Sequence, residues 1–355
     1  MQDLYLLHHS INCRGMKKSI DVSKVDASGI AGFVSGVRSR DPIRDRNIIV
    51  WALPGRATLF DCYIFLSHIY YVVCSVASSC IMHSPLRIAV LECDTPIDKI
   101  NRRYNGYGGV FRIFLKASVN ALNQPERLDP ETGMEITAWD IVNDDKYPNL
   151  EDVDAVLLTG SSTYQLGDPK HSKAYTNHNG PKPEHNSFED TPWINRLVEF
   201  TQQVLAQDRV RLLGICFGHQ IVGRALGSKV GRSDQGWEIA VCDMDMTDEG
   251  KEFFGRDKIR IQQMHRDIVF EYPPNVIPLG SSPRCAVQGM YAPRRFVTVQ
   301  GHPEFTGDIA TETIQKRAEA GVFKEDQAQD ALSRANLEHD GVAIGVAFLK
   351  FLLEE

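Results

Sequence analysis

Two short segments carry residue types whose spacing can support covalent chemistry. The first is Gly214-Ile215-Cys216-Phe217-Gly218-His219-Gln220. A cysteine flanked at two residues on either side by glycine, between an apolar run and a helical pattern, is how a nucleophile is mounted on a sharp turn. Glycine at 214 and 218 lets backbone crowd where side chains would clash. The thiol then stands at a helix N-terminus, whose dipole favours thiolate over thiol. The N–H of Phe217 is expected to point toward an oxyanion formed on the electrophile. The second segment is Gln300-Gly301-His302-Pro303-Glu304-Phe305. Pro303 restricts His302 to extended backbone, and residues two apart on extended chain face the same way, which predicts Glu304 beside His302. A carboxylate accepting from one ring nitrogen leaves the other for the thiol. Cys216, His302 and Glu304 thus read as nucleophile, base and orienter for acyl transfer through a thioester. A lone cysteine is more often a buried core thiol, and a lone His-Pro-Glu is most often a turn. Their joint presence in one chain is what weighs against both bland readings.

Such residues need strand ends to hold them. Leu86–Leu91 and Asp154–Thr159 are short apolar runs of the kind buried in a parallel sheet. Glu135–Val142, Val210–Ile215 and segments near 238–242, 259–264, 276–280 and 296–300 also read as strands. Helices are expected from about Gly109 to Leu122, from Pro192 at its favoured first position, from about Phe217, and over 307–320, 325–335 and 340–353. Alternating strands and helices predict an α/β fold, an open, mostly parallel sheet with helices on both faces. The thiol would sit at the carboxyl edge of that sheet, where ligands bind. Residues 161–191, rich in Gly, Pro, Asn and His, form a long surface loop of a kind that is usually functional or mobile.

The 355 residues carry 39 Lys plus Arg against 46 Asp plus Glu, net −7, and 43% are apolar. No basic run breaks this balance, which argues against a nucleic-acid partner. Charge divides the chain: residues 1–85 sum to +3 with no Glu, and the remainder sums to −10. The expected organisation is an N-terminal extension, 1–85, and one domain, 86–355. Residues 63–82 (YIFLSHIYYVVCSVASSCIM) have the length of a membrane span but hold His68 and four serines. They read, in order of preference, as sequence the mature protein lacks because translation starts at Met82, as a buried segment, or as a membrane anchor. The eight cysteines form no CxxC and no zinc pattern, which fits free thiols in a reducing, cytoplasmic setting. His171, His178 and His185 lie in a loop too pliant to cage a metal and are placed at the substrate entrance; His8 and His9 are read as solvated. Cys93, Asp94 and Trp193 are given structural roles.

From about residue 86 the chain resembles the class I glutamine amidotransferases of the Cys-His-Glu type. Gly214, Cys216, Gly218 and Gln220 match the family's GxCxGxQ, and His302-Pro303-Glu304 its HPE. The stand-alone format is similar to plant γ-glutamyl peptidases and fungal amidotransferase-like proteins. The resemblance implies that Gly160 and Ser161 supply a second oxyanion amide, although the family's usual Gly-Gly-Pro is absent there. It also implies that Gln220 holds the substrate glutamine and that no metal or organic cofactor is needed. Gly236-Trp237-Glu238 and Met264-His265-Arg266-Asp267 resemble family segments and are read as framing the pocket. The substrate implied is glutamine or a γ-glutamyl compound, with the ammonia passed to a separate synthase or acceptor. Hydrolysis of γ-glutamyl conjugates and a catalytically silent binding role remain as alternatives.

Overall fold

The computed structural model describes residues 11–13, 16–18, 85–161 and 186–354. It divides into two units, Met1–Ile81 and Met82–Glu355. In the first, β1 (Ile11–Cys13) pairs antiparallel with β2 (Met16–Lys18). His8, His9, the apolar stretch 63–82 and the loop histidines His171, His178 and His185 lie outside the described residues.

The second unit is built on β3 (Leu86–Glu92), β4 (Met134–Asp140), β5 (Ala155–Leu158), β6 (Arg211–Ile215) and β13 (Phe296–Val299), which run parallel to one another. An antiparallel extension of β12 (Cys285–Ala292), β11 (Ile277–Ser282), β8 (Glu238–Met246) and β9 (Ile259–His265) completes a nine-stranded sheet in the order β4-β3-β5-β6-β13-β12-β11-β8-β9. A separate antiparallel pair joins β7 (Val230–Arg232) to β10 (Asp267–Val269). Every residue of β5 and β13 is buried, as a strand covered on both faces requires. The strand β4, at the sheet edge, has no fully buried residue.

Successive residues of the parallel strands feed opposite cores. Val90, Leu157, Leu213 and Val297 face one, packed against α2 (Gly106–Leu122) and α8 (Gly341–Leu352). Leu91, Val156, Leu212 and Phe296 face the other, packed against α3 (Pro192–Leu205) and α4 (Phe217–Ala225). This is the period-2 alternation of a strand expressed as two apolar layers. The remaining helices are α1 (Asp98–Tyr104), α5 (Asp248–Phe254), α6 (Gly307–Glu319) and α7 (Glu325–Arg334). Among the described residues no helix is long and apolar enough to cross a membrane. The second unit thus forms the open α/β sheet expected of it, with five elements the sequence pattern did not reveal: α1, α5, β7, β10 and β12.

Candidate active site

Cys216 occupies the turn between β6 and α4 with φ 51° and ψ −100°. This strained conformation for a non-glycine residue persists only where its surroundings over-determine it. Three backbone bonds do so: Cys216 N–H to the Val299 carbonyl at 3.0 Å, Gly218 N–H to that of Thr159 at 3.2 Å, and Gln220 N–H to that of Cys216 at 3.1 Å. The two glycines are needed for crowding, as read from the sequence. A Cβ on Gly214 would lie 2.7 Å from Thr298 Cγ2, and one on Gly218 would strike the Leu158 carbonyl.

His302 follows β13 and is 4% exposed. Its N–H donates to the Gln262 carbonyl of β9 at 2.7 Å, and its ring stacks on Phe305 with centroids 4.1 Å apart. Nδ1 lies 2.8 Å from Glu304 Oε1, and the Cys216 side chain hydrogen-bonds to the same imidazole. Burial by itself would lower the His302 pKa, but the charges and hydrogen bonds of Glu304 and Cys216 outweigh it and lift the group to about 10. Glu304 reaches His302 by a route other than continued extended chain. Phe305 N–H closes a turn onto the His302 carbonyl at 3.3 Å, and it is this turn that folds Glu304 back.

Gly160 ends the segment after β5 and lies against the His302 ring: a Cβ there would be 2.6 Å from His302 Cε1. Next to it, Ser161 Oγ is buried with no hydrogen-bond partner among the described residues. The Phe217 ring stacks on Trp193 at 5.6 Å, and its backbone amide heads α4. Gln220 is tied into the protein: its Nε2 donates to the Asp267 carbonyl at 2.7 Å and to Gln300 Oε1 at 3.2 Å, and its Oε1 accepts from Ser187 Oγ at 2.7 Å. Arg224 fixes the Ser187 segment by donating to the carbonyls of Ser187 and Glu189 at 2.9 and 2.8 Å. Ser187 was not legible beforehand, since it lies in an irregular polar stretch with no periodic signal.

The two segments expected to frame the pocket meet as neighbours in the β8–β9 ladder, where Glu238 pairs with His265. Glu238 Oε2 lies 3.0 Å from His265 Nε2 and accepts from Gln288 Nε2 at 2.8 Å, while Oε1 accepts from Ser282 Oγ at 2.6 Å. Burial pushes this carboxyl upward, yet the His265 bond and charge and the Ser282 bond hold it below its ordinary value. Buried His219 sits 2.8 Å from Thr298 Oγ1 and is pushed down to about 3 by burial and then by the charge of His265. The thiols Cys93 and Cys285 are both driven up to about 12 by burial, which keeps them in the unreactive thiol form. Among the described residues no group of three or more His, Cys, Asp or Glu is placed to hold a metal ion.

An open α/β sheet with a strained cysteine turn beside a buried histidine–carboxylate pair defines a class of thiol-bearing scaffold, and the comparisons give it a family. The family described as "Glutamine amidotransferase class-I" matches residues 178–318. A glutamine amidotransferase-like protein of Schizosaccharomyces pombe is 31% identical over 272 residues, covering 75% of this chain and 98% of its own length. Gamma-glutamyl peptidase 3 of Arabidopsis thaliana is 27% identical over 239 residues, covering 64% of this chain and 81% of its own. A crystal structure of a glutamine amidotransferase from Thermotoga maritima superposes with a TM-score of 0.50 at 18% identity, over 76% of this chain and 99% of that one, a likeness of fold. The chain belongs to the class I glutamine amidotransferase family.

Proposed function

We propose that this protein cleaves the γ-amide of glutamine through a thioester on Cys216 and passes the ammonia to a separate acceptor or synthase in a biosynthetic pathway. The observation that carries the reading is the alignment of Cys216, His302 and Glu304, with the His302 ring bonded to both partners. Cys216 passes its thiol proton to His302 and Sγ adds to the γ-carbonyl carbon, whose oxygen takes up the negative charge. The amides of Phe217 and of Gly160 and Ser161 stabilise that oxyanion, each such donor contributing about 3–4 kcal/mol to the transition state. As the tetrahedral species collapses, the C–N bond breaks and His302 delivers its proton to the leaving nitrogen. Water then attacks the thioester, His302 takes the proton, and glutamate leaves with the thiol regenerated. Gln220 lines the glutamine site, with one lone pair of Oε1 left beyond its bond from Ser187. No step calls on a metal or organic cofactor. The site belongs to the domain from residue 86 onward, and the free thiols Cys93, Cys216, Cys242 and Cys285 suit a cytoplasmic location.

A second reading, hydrolysis of γ-glutamyl conjugates, uses the same thioester and differs only in the leaving amine. Its support is the likeness to the γ-glutamyl peptidase. Glutamate release should be measured from glutamine and from γ-glutamyl peptides, with Cys216→Ala alongside. Turnover of glutamine supports the first reading, and turnover of peptides alone supports the second. No Cys216-dependent turnover of either substrate leaves a silent binding homologue.

A further inference from the structure

The turn that presents His302 and Glu304 is backed by the connection 335–340, between α7 and α8, and by the first residue of α8. Gln262 binds both sides: its carbonyl accepts from His302 N–H at 2.7 Å, and its Nε2 donates to the Ala335 carbonyl at 2.8 Å. Asp340 N–H donates to the Arg260 carbonyl at 2.7 Å, and Arg260 N–H returns a bond to Asp340 Oδ2 at 2.8 Å. Gly341 faces the Pro303 carbonyl with no room for a Cβ between them. The half-buried His339 imidazole borders the same spot, its Cε1 and Nδ1 lying 2.7 and 3.0 Å from where that Cβ would be. The ring therefore stands beside the peptide that leads into Glu304.

Glu304 lacks a partner for its second carboxylate oxygen among the described residues. Its side chain is 0% exposed and Oε1 is bonded to His302, while Oε2 is buried with no hydrogen-bond partner among the described residues. A buried carboxylate oxygen without a donor is costly. His339 Nδ1 accepts from Gly341 N–H at 3.2 Å, which assigns the ring proton to Nε2. We propose that His339 is a positioning residue, whose Nε2–H donates to the second oxygen of Glu304 across one ordered water and so holds the carboxylate aimed at His302. This rests on the reading of Cys216, His302 and Glu304 given above. The charged groups that face the ring are Glu304 from the turn, Asp340 from its own segment and Arg260 from β9, with Arg256 lying 3.1 Å from Asp340. Burial, reinforced by Arg260, holds His339 below the ordinary imidazole range against the opposing pull of Asp340 and Glu304, so the ring stays neutral and keeps a donor on Nε2.

The test compares wild type, His339→Leu and His339→Gln in the full chain. The pH dependence of Cys216 alkylation by iodoacetamide is followed by peptide mapping, and kcat and KM are measured for whichever γ-glutamyl substrate turns over. Loss of the donor lets the Glu304 carboxylate turn away from His302 and weakens its hold on the imidazolium that accompanies the thiolate, so in His339→Leu the acid limb of the alkylation profile rises by about one pH unit. Its kcat falls about tenfold with KM unchanged. His339→Gln supplies an N–H and returns both quantities most of the way to wild type. An unmoved profile in His339→Leu overturns the proposal, as does an equal shift in both variants, which would point to shape rather than donation. If His339→Leu fails to fold, nitrogen NMR of the wild-type ring decides: a proton on Nε2 supports the proposal and a proton on Nδ1 overturns it. A wild type with no Cys216-dependent turnover refutes the function proposed above, whereas the alkylation profile and the tautomer still judge His339.

Discussion

Replacing Gly160 by alanine tests how narrowly the His302 imidazole is held. The backbone at Gly160 lies outside the left-handed region, so alanine meets no conformational penalty there. The added methyl would lie 2.6 Å from His302 Cε1, and ordinary contact begins at 3.4 Å, so the imidazole has to move by about 0.8 Å. It cannot retreat freely. Phe305 stacks on the ring at 4.1 Å, Glu304 holds Nδ1 at 2.8 Å, and Gln262 holds the backbone at 2.7 Å. A displacement near 1 Å between reacting groups costs about 100-fold in rate, or about 2.7 kcal/mol of barrier. The assay is glutamate release at saturating substrate together with a urea melt. The expected result is a kcat lowered about 100-fold, with KM and the urea midpoint little changed. Retention of kcat within about threefold would refute the reasoning, because it would mean that the imidazole position is not set by contact with residue 160.

Gly218→Ala directs a methyl into the Leu158 carbonyl and to within 2.5 Å of Leu158 Cβ. It should lower stability by about 1–3 kcal/mol and abolish turnover; a wild-type urea midpoint would contradict this. Glu238→Ala leaves buried His265, Ser282 and Gln288 without their shared acceptor, for an expected loss of about 3–5 kcal/mol in urea denaturation; a loss below about 1 kcal/mol would show that the pair is relieved by other means. His219 titrates near 3 in the folded chain against an ordinary value of 6.5. Between those values the unfolded chain takes up a proton that the folded chain refuses, so this contribution is complete above 6.5 and is lost as pH falls toward 3. His219→Gln, which can keep a bond to Thr298, should flatten the fall of the urea midpoint over that interval, and an unchanged slope would contradict the assignment.

What was legible in the sequence was what local pattern determines. The cysteine turn could be read because two glycines, an apolar run and a helix start coincide within a few residues. The parallel strands could be read because burial on both faces demands unbroken apolar runs such as AVLL at Ala155–Leu158. The strand β12 (CAVQGMYA) escaped because Gln288 and Gly289 interrupt its apolar pattern. Gln288 is buried to serve Glu238 and Gln263, a partnership that only the fold creates. The helix α1 (DKINRRY) escaped because Ile100 is its single buried residue, too little for a helical stripe. Within the site, the residue types at 216, 302 and 304 were readable, but the turn that brings Glu304 back and the contact of Gly160 with the imidazole were not. The tether of Gln220 to Ser187 spans 33 positions and the bond from His302 N–H to the Gln262 carbonyl links the turn after β13 to β9, and no periodicity encodes such meetings.

The central claim is that Cys216 forms an acyl bond with a γ-glutamyl group. The most direct measurement is mass analysis of the full chain, acid-quenched during turnover of glutamine or a γ-glutamyl peptide and then mapped to peptides. The account predicts a mass increase of one γ-glutamyl group on the peptide containing Cys216, removed by hydroxylamine and absent from Cys216→Ala. An adduct on another cysteine, or substrate turnover that persists in Cys216→Ala, would contradict it.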